Sequence, residues 1–302
     1  MKHSPAFIPY LSVTTAVILW GFSFIWTNSL LQQGLPVFSL IFLRVSFAAI
    51  ILLIVSLTAK KLEPVAKRDW GWFLLLVLLE PFIYFIGETF GLKIVNSPTL
   101  GSIIISTIPI FALFAGKIFY NEKITGFNIF GILITLPGIL MIVFEKGGLD
   151  FSHSIGVLLL FLAVFAAVGY AVVVKQLTGK YNSYTIVTYQ NLLGALYFFP
   201  LFLYNDSVTF SFGTFLNIDI LKPLLYLAVF CSALAFVLFV NSVKAIGITR
   251  SNIFTSMVPV VSALGAFMLG QEGMSSRKIV GIVIVVAGVI IAQRQKSINN
   301  VN

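Results

Sequence analysis

The fold of this chain is decided by a stretch that occurs twice. Residues 99–109 read TLGSIIISTIP and residues 249–259 read TRSNIFTSMVP, so that threonine, isoleucine, serine and proline recur at an offset of 150 residues. The same offset matches Glu122 with Glu272, Gly131 with Gly281 and Gly138 with Gly288. Because proline and glutamate are scarce in this chain, these identities indicate an internal duplication.

Both copies lie within long apolar runs. Hydrophobic residues make up 59% of the 302 residues and charged residues 10%, and the mean hydropathy is +1.04, whereas soluble domains average about 45–50% apolar and 25% charged residues. A bilayer-spanning helix needs about 20 apolar residues, and the chain offers ten such runs. They cover approximately residues 8–31, 36–57, 70–91, 99–119, 127–144, 155–174, 184–203, 224–243, 251–269 and 279–292.

These runs predict an all-α membrane protein of ten transmembrane helices. The duplication divides it into two five-helix repeats, residues 1–148 and 149–302. Because five is an odd number, the second repeat enters the membrane the other way up, which gives an inverted repeat. The first run is too long for a signal-peptide core and no small-residue cleavage site follows it, so we interpret it as a retained span.

The basic residues set the orientation. Placing both termini in the cytoplasm assigns 13 of the 19 Lys and Arg residues to inner segments, as the positive-inside rule requires. The net charge of +9 is then a topology signal, and we expect no nucleic-acid partner. The only cysteine is Cys231 and the only histidines are His3 and His153, so we predict no metal site and no cofactor.

Three ionisable residues fall inside predicted spans, where each costs roughly 2.5–3.5 kcal/mol at the bilayer centre. They are Arg44 in the second span and Glu80 and Glu88 in the third. Counting along ideal helices places Arg44 and Glu80 at a similar depth and Glu88 near the outer rim. Glu80, Tyr84 and Glu88 are four residues apart, so they share a helical face that we expect to look into the bundle.

We predict that Arg44 binds an anionic group of a substrate while Glu80 pairs with it or takes up a proton. Glu88 is a second candidate proton site. The alternative is a permanent interhelical ion pair without a transport role. The duplication favours function, because the positions opposite Arg44, Glu80 and Glu88 are the uncharged Gln190, Phe230 and Leu238.

Further candidates come from aromatic, amide and small residues. We place Trp20 and Phe24 on a cavity wall, with Tyr84, Tyr170 and Tyr189 as weaker candidates, although packing is the simpler role for each. One of Gln190 and Asn191 is expected to face the cavity. Gly131 and Gly138, like Gly281 and Gly288, suit close helix packing, either in a homodimer or at a seam between the repeats.

Two residue pairs that occur in both halves predict structural or gating elements. Pro109 and Pro259 interrupt their helices and are candidate hinges or static kinks. Serine and threonine residues beside them could line a polar path or bond back to their own helices. Glu122, between Lys117 and Lys123, is expected in a helix-end charge cluster in water.

The sequence resembles the EamA-type permeases of the drug/metabolite transporter superfamily. The resemblance rests on Trp20-Gly21, Leu43-Arg44, the Ser-x-x-Pro from Ser106 to Pro109 with Asn121-Glu122-Lys123 after it, and their repetition at Ser256 to Pro259 and Gly270-Gln271-Glu272. It implies export or exchange of amino acids, related metabolites or toxic organic compounds across a bacterial inner membrane, and it does not imply one substrate.

We therefore predict a permease that works by alternating access and is not an enzyme, with a small-molecule substrate and the lipid bilayer as its partners. Two alternatives remain. An intramembrane enzyme acting on lipid-linked groups would need a polar cluster near one interface, which only Glu88 approximates. A non-transporting membrane scaffold or accessory subunit is disfavoured by the full duplication.

Overall fold

The computed structural model describes residues 7–143, 154–206, 217–270 and 273–292, and the described residues form helices without any strand. Eight helical stretches among them are long and apolar enough to cross a membrane. They are Phe7–Gln32, Val37–Thr58, Lys67–Val95, Pro98–Tyr120, Ser154–Thr178, Ser183–Asn205, Ile218–Ile246 and Ile248–Met268. This supports a multi-pass membrane protein, whereas the predicted count of ten spans is not established by these eight.

Several of these stretches are broken inside, so the helices are numbered individually. The first half contains α1 Phe7–Gln32, α2 Val37–Thr58, α3 Trp70–Val77, α4 Tyr84–Val95, α5 Pro98–Ile105, α6 Ile108–Tyr120 and α7 Gly126–Val143. The second half contains α8 Ser154–Thr178, α9 Ser183–Asn205, α10 Ile218–Tyr226, α11 Ala235–Ile246, α12 Ile248–Ile253, α13 Val258–Met268 and α14 Ser276–Ala292.

The breaks occur at matching places in the two halves. A π-helical turn, Leu78–Ile83, joins α3 to α4, and another, Leu227–Leu234, joins α10 to α11. In the first of these turns Glu80 has extended dihedral angles, φ −146° and ψ 116°. Pro81 follows it, and a proline disfavours the helical conformation of the residue before it. The helix is therefore interrupted beside an acidic side chain.

The helices of one half pack mainly against helices of the other half. Helix α1 lies against α11 and α13, and its counterpart α8 lies against α4 and α6. Helix α2 packs on its own counterpart α9, as α7 does on α14. This pattern is unchanged when the two halves are exchanged, so the duplication in the sequence is also present in the packing.

The glycines seven residues apart lie where α7 meets α14. A Cβ atom on Gly131 would come within 2.5 Å of the Gly288 carbonyl oxygen, and one on Gly138 within 2.8 Å of the Gly281 carbonyl oxygen. These glycines therefore let the two backbones approach closely at the seam between the repeats. The homodimer stays a prediction.

Polar side chains at the helix ends also join the halves. Asp206, just after α9, accepts hydrogen bonds from the Ser39 backbone N–H (2.6 Å) and Oγ (3.0 Å) in the first turn of α2. In the reciprocal place, Glu63 after α2 accepts from the Asn182 N–H before α9 at 2.9 Å. The α2–α9 pair is thus capped at both ends by residues of the opposite half.

Candidate functional site

A cavity of about 40 Å³ lies between the two halves. Three charged side chains line it, Arg44 from α2, Glu80 from the π turn and Glu88 from α4. Half of its other lining residues are aromatic and come from α1, α4, α8 and α11. The rest are aliphatic or small residues, such as Ile105, Ile108 and Val258, together with Asn252 and Thr255 from the segment that leads to α13. The cavity therefore combines an apolar wall with a few polar groups, as small-molecule sites do.

Arg44 is held by residues of both halves. Its side chain is 2% exposed, and its Nε donates a hydrogen bond to the Ser232 Oγ at 2.6 Å. Its guanidinium carbon lies 4.2 Å from the centre of the Phe85 ring, a distance that allows a cation–π interaction. One terminal nitrogen lies 3.9 Å from the Glu88 Oε2. The guanidinium is thus fixed in position.

Glu88 is part of the cavity, and its expected depth near the outer rim stays a prediction. The residue is 3% exposed, lines the cavity and interacts with Tyr84 one turn earlier. Its Oε2 has no hydrogen-bond partner.

Glu80 also lines the cavity, but it is not the carboxylate beside Arg44. It is 6% exposed, and the ion pair that includes Arg44 is made by Glu88. Within the described part of the chain, no hydrogen bond or ion pair to the Glu80 carboxylate is formed. The expected pairing of Arg44 with Glu80 is therefore replaced by a pairing with Glu88. Glu80 is left as a buried acid on the cavity wall without an ion pair, although Arg44 and Glu88 act on it electrostatically.

Trp20, Phe24, Tyr84 and Tyr170 all lie on the cavity wall. The Trp20 indole N–H donates to the Cys231 carbonyl oxygen at 3.2 Å. Its ring centre is 5.2 Å from that of Phe236 and 5.0 Å from that of Phe239. The wall on this side is therefore a packed aromatic cluster rather than a set of isolated rings.

Gln190 lies behind the wall instead of on it. It is buried but does not line the cavity, and its Oε1 accepts a hydrogen bond from the Tyr170 hydroxyl at 2.9 Å. Its neighbour Asn191 donates to the Val187 carbonyl oxygen of its own helix. Tyr189 packs against Trp70 and Phe73, away from the cavity. The seventh predicted span thus supports the site without facing it.

Pro109 and Pro259 occupy equivalent places at the starts of α6 and α13, directly after the breaks in their stretches. The nearby hydroxyls bond back to their own helices: Ser106 Oγ donates to the Ile103 carbonyl oxygen at 2.6 Å, and Thr255 Oγ1 to that of Asn252 at 2.7 Å. Thr255 nevertheless lines the cavity. A hinge role of the two prolines stays a prediction.

Glu122 does not belong to a charge cluster in water. Its two carboxylate oxygens accept hydrogen bonds from the N–H groups of Ile248 (2.7 Å) and Thr249 (2.9 Å) at the start of α12. The carboxylate fits there because Gly116 and Gly247 lie against it, where a Cβ on either would come within 2.8 Å. Glu122 therefore joins the two halves. Its duplicate Glu272 lies outside the described residues.

The sequence did not single out the residues that complete the site, namely Ser232, Phe85, Phe236, Phe239 and Asn252. With 30 phenylalanines in the chain, no pattern distinguishes those at the cavity from those facing lipid. Within the described ranges, no group of three or more His, Cys, Asp or Glu side chains could hold a metal ion.

Comparison with known proteins gives a consistent result. A model of the EamA-like transporter family matches residues 7–144 and again residues 154–293. The chain is 27% identical over 292 residues to the uncharacterized transporter YetK of Bacillus subtilis (strain 168), covering 95% of this chain and 87% of that protein. It is 24% identical over 287 residues to an uncharacterized transporter of Archaeoglobus fulgidus, covering 95% of this chain and 99% of that protein.

Solved structures share the fold, and one crystal structure illustrates the similarity. It superposes with a TM-score of 0.79 at 17% sequence identity, covering 94% of this chain and 97% of the other. This similarity concerns the arrangement of the helices alone.

Proposed function

The chain belongs to the EamA-like transporter family, and on that premise we propose that it is a permease that exports amino acids or related small metabolites. In this proposal ten helices form two inverted five-helix repeats in a bacterial inner membrane, with both termini in the cytoplasm. Helices α7 and α14 supply the two spans beyond the eight long stretches. Alternating access arises from rocking of the repeats around the cavity, with Pro109 and Pro259 as hinges.

The observation that carries the proposal is the buried Arg44 on the wall of a cavity between the halves. A guanidinium in that position costs free energy, and its hydrogen bond to Ser232 uses only Nε. The terminal nitrogens are therefore available to a substrate carboxylate, which Arg binds through paired N–H groups. Such a carboxylate would take the place of Glu88, whose Oε2 has no hydrogen bond to lose.

Proton coupling is a natural extension of this arrangement. Two buried carboxyl groups, Glu80 and Glu88, face one cavity with a single guanidinium, and a proton on one of them would balance the charge. We favour transport over the enzyme alternative because Glu88, the residue on which that alternative rested, lines the cavity together with Arg44 and Glu80. The relatives reported above are named as transporters.

The experiment is counterflow in proteoliposomes that are preloaded in turn with amino acids, nucleosides and organic cations. We expect the wild-type chain to take up one class of solute and Arg44→Gln to lose most of that uptake. Arg68→Gln is the matched control, because Arg68 is exposed outside the cavity. Equal uptake by Arg44→Gln and wild type would remove Arg44 from the site, and no uptake by folded wild-type protein would refute the transport proposal.

A further inference from the structure

The charges around the cavity do not balance. The lining side chains include two carboxyl groups and one guanidinium, and the guanidinium already has a carboxylate 3.9 Å away in Glu88. Arg44 is also covered by Phe85 and bonded to Ser232. The Arg44–Glu88 pair is therefore close to self-compensating, and the charge left over at the cavity wall is that of Glu80.

Glu80 is placed to meet something that enters the cavity. It lies more than nine-tenths buried and lines the cavity, where the helix is opened by the extended backbone before Pro81. In the described part of the chain its carboxylate is neither ion-paired nor hydrogen-bonded. An ionised carboxylate buried in this way is costly unless a counter-charge reaches it. A proton supplies that counter-charge, and a cationic group of a solute supplies it equally.

The remaining wall suits the same partner. Trp20, Phe236 and Phe239 form one aromatic cluster on the cavity, and the Tyr170 ring packs against Phe236 with ring centres 5.9 Å apart. Aromatic faces attract ammonium groups, and the attraction strengthens when the cation is removed from water. The cluster contributes no further negative or positive side chain, so it adds to the preference for a cation without changing the charge count.

We propose that Glu80 is the binding site for the positively charged amino group of the transported solute. The cavity then takes solutes that carry an ammonium group, as primary amines and zwitterionic amino acids do, and it excludes simple anions. This inference rests on the proposed function and makes it narrower. Glu80 and Glu88 have different tasks in it, because Glu80 binds the solute whereas Glu88 compensates Arg44.

The test compares solutes that differ only in charge. Phenethylamine, phenylalanine and 3-phenylpropionate share a ring and are cationic, zwitterionic and anionic, and ethylamine, alanine and propionate form the corresponding aliphatic set. In counterflow with wild-type protein, we expect uptake of the amine and of the zwitterion of each set, because both carry the ammonium group that Glu80 contacts. We expect no measurable uptake of the anions.

Two variants show whether solute binding depends on the Glu80 carboxylate itself or only on the total charge of the cavity. Glu80→Gln and Glu88→Gln each remove one carboxylate, so they change the cavity charge equally. We expect Glu80→Gln to raise the half-saturating amine concentration about tenfold or more. In Glu88→Gln we expect a smaller rise in the half-saturating amine concentration than in Glu80→Gln, and improved zwitterion uptake because Arg44 is released. Glu80→Asp, which keeps the charge, should retain amine uptake and guards against a folding defect in Glu80→Gln.

Uptake of anions as well as amines by the wild type, or equal amine affinity of wild type and Glu80→Gln, would overturn the inference and leave the transporter in place. Equal effects of Glu80→Gln and Glu88→Gln would also overturn it, because the cavity would then sense only total charge. Failure of folded wild-type protein to transport any solute would refute the proposed function, and this inference with it.

Discussion

Replacing Glu122 by alanine tests the contact that joins the end of α6 to the start of α12. The substitution removes both acceptors of the Ile248 and Thr249 N–H groups, at 2.7 and 2.9 Å, and also a negative charge at a helix N-terminus. Hydrogen bonds to a charged group contribute about 1.5–3 kcal/mol each, and the helix dipole adds about 0.3–1 kcal/mol. Because Glu122 is only partly buried, water replaces part of this stabilisation in the variant. We expect the free energy of unfolding to fall by about 2–3 kcal/mol.

The chain provides its own reporter for the measurement. Cys231 is the only cysteine and is buried, so a thiol-reactive fluorophore labels it only as the protein unfolds. At about 2–4 °C per kcal/mol for a large domain, the expected lowering of the midpoint in detergent is about 4–12 °C. Lys123→Ala, at the exposed neighbouring position, is the control and should unfold within about 2 °C of wild type, as most surface substitutions do.

A second substitution, Gly247→Ala, tests the same contact whatever the absolute stability loss of Glu122→Ala. Gly247 has φ +88°, and an added Cβ would lie 2.5 Å from the Glu122 Oε1. Gly247→Ala therefore displaces the same carboxylate that Glu122→Ala removes. We expect the stability loss of the double variant to be clearly smaller than the sum of the losses of the two single variants. Full additivity, or wild-type stability of Glu122→Ala, would show that the carboxylate does not hold the start of α12.

Three further predictions concern the seam, the cap of α2 and the site. Gly131→Val should abolish the yield of folded protein, because its Cβ would lie 2.3 Å from a backbone nitrogen of α14. Gly126→Ala is the control and should elute as a monodisperse peak in size-exclusion chromatography, because nothing lies within 4 Å of the added Cβ. Asp206→Ala should lower the unfolding midpoint, since removing the charged cap of α2 costs about 1–3 kcal/mol; an unchanged midpoint would contradict the cap. Ser232→Ala should keep the free energy of unfolding within about 1.5 kcal/mol of wild type yet weaken solute binding several-fold, because the Arg44 Nε loses its hydrogen-bond acceptor. An unchanged half-saturating concentration in counterflow would show that Ser232 does not position Arg44.

Much of the site could be predicted from helical periodicity. Glu80, Tyr84 and Glu88 share a face because they are four residues apart, and all three line the cavity. Arg44, Trp20 and Phe24 are on its wall as well. Gln190 was misplaced because periodicity cannot choose between the adjacent amides of Gln190 and Asn191. The hydrogen bond from Tyr170 holds the Gln190 side chain behind the wall.

The sequence by itself determined the membrane environment, the duplication and the faces of the helices, because hydropathy, repeated residues and helical spacing are properties of short stretches of chain. Only the tertiary structure decided that Arg44 lies beside Glu88, that Ser232 holds it from 188 residues away, and that Glu122 caps α12. These contacts depend on how helices from the two halves interleave. No local pattern encodes that arrangement, since the apolar faces that bring the helices together are chemically alike.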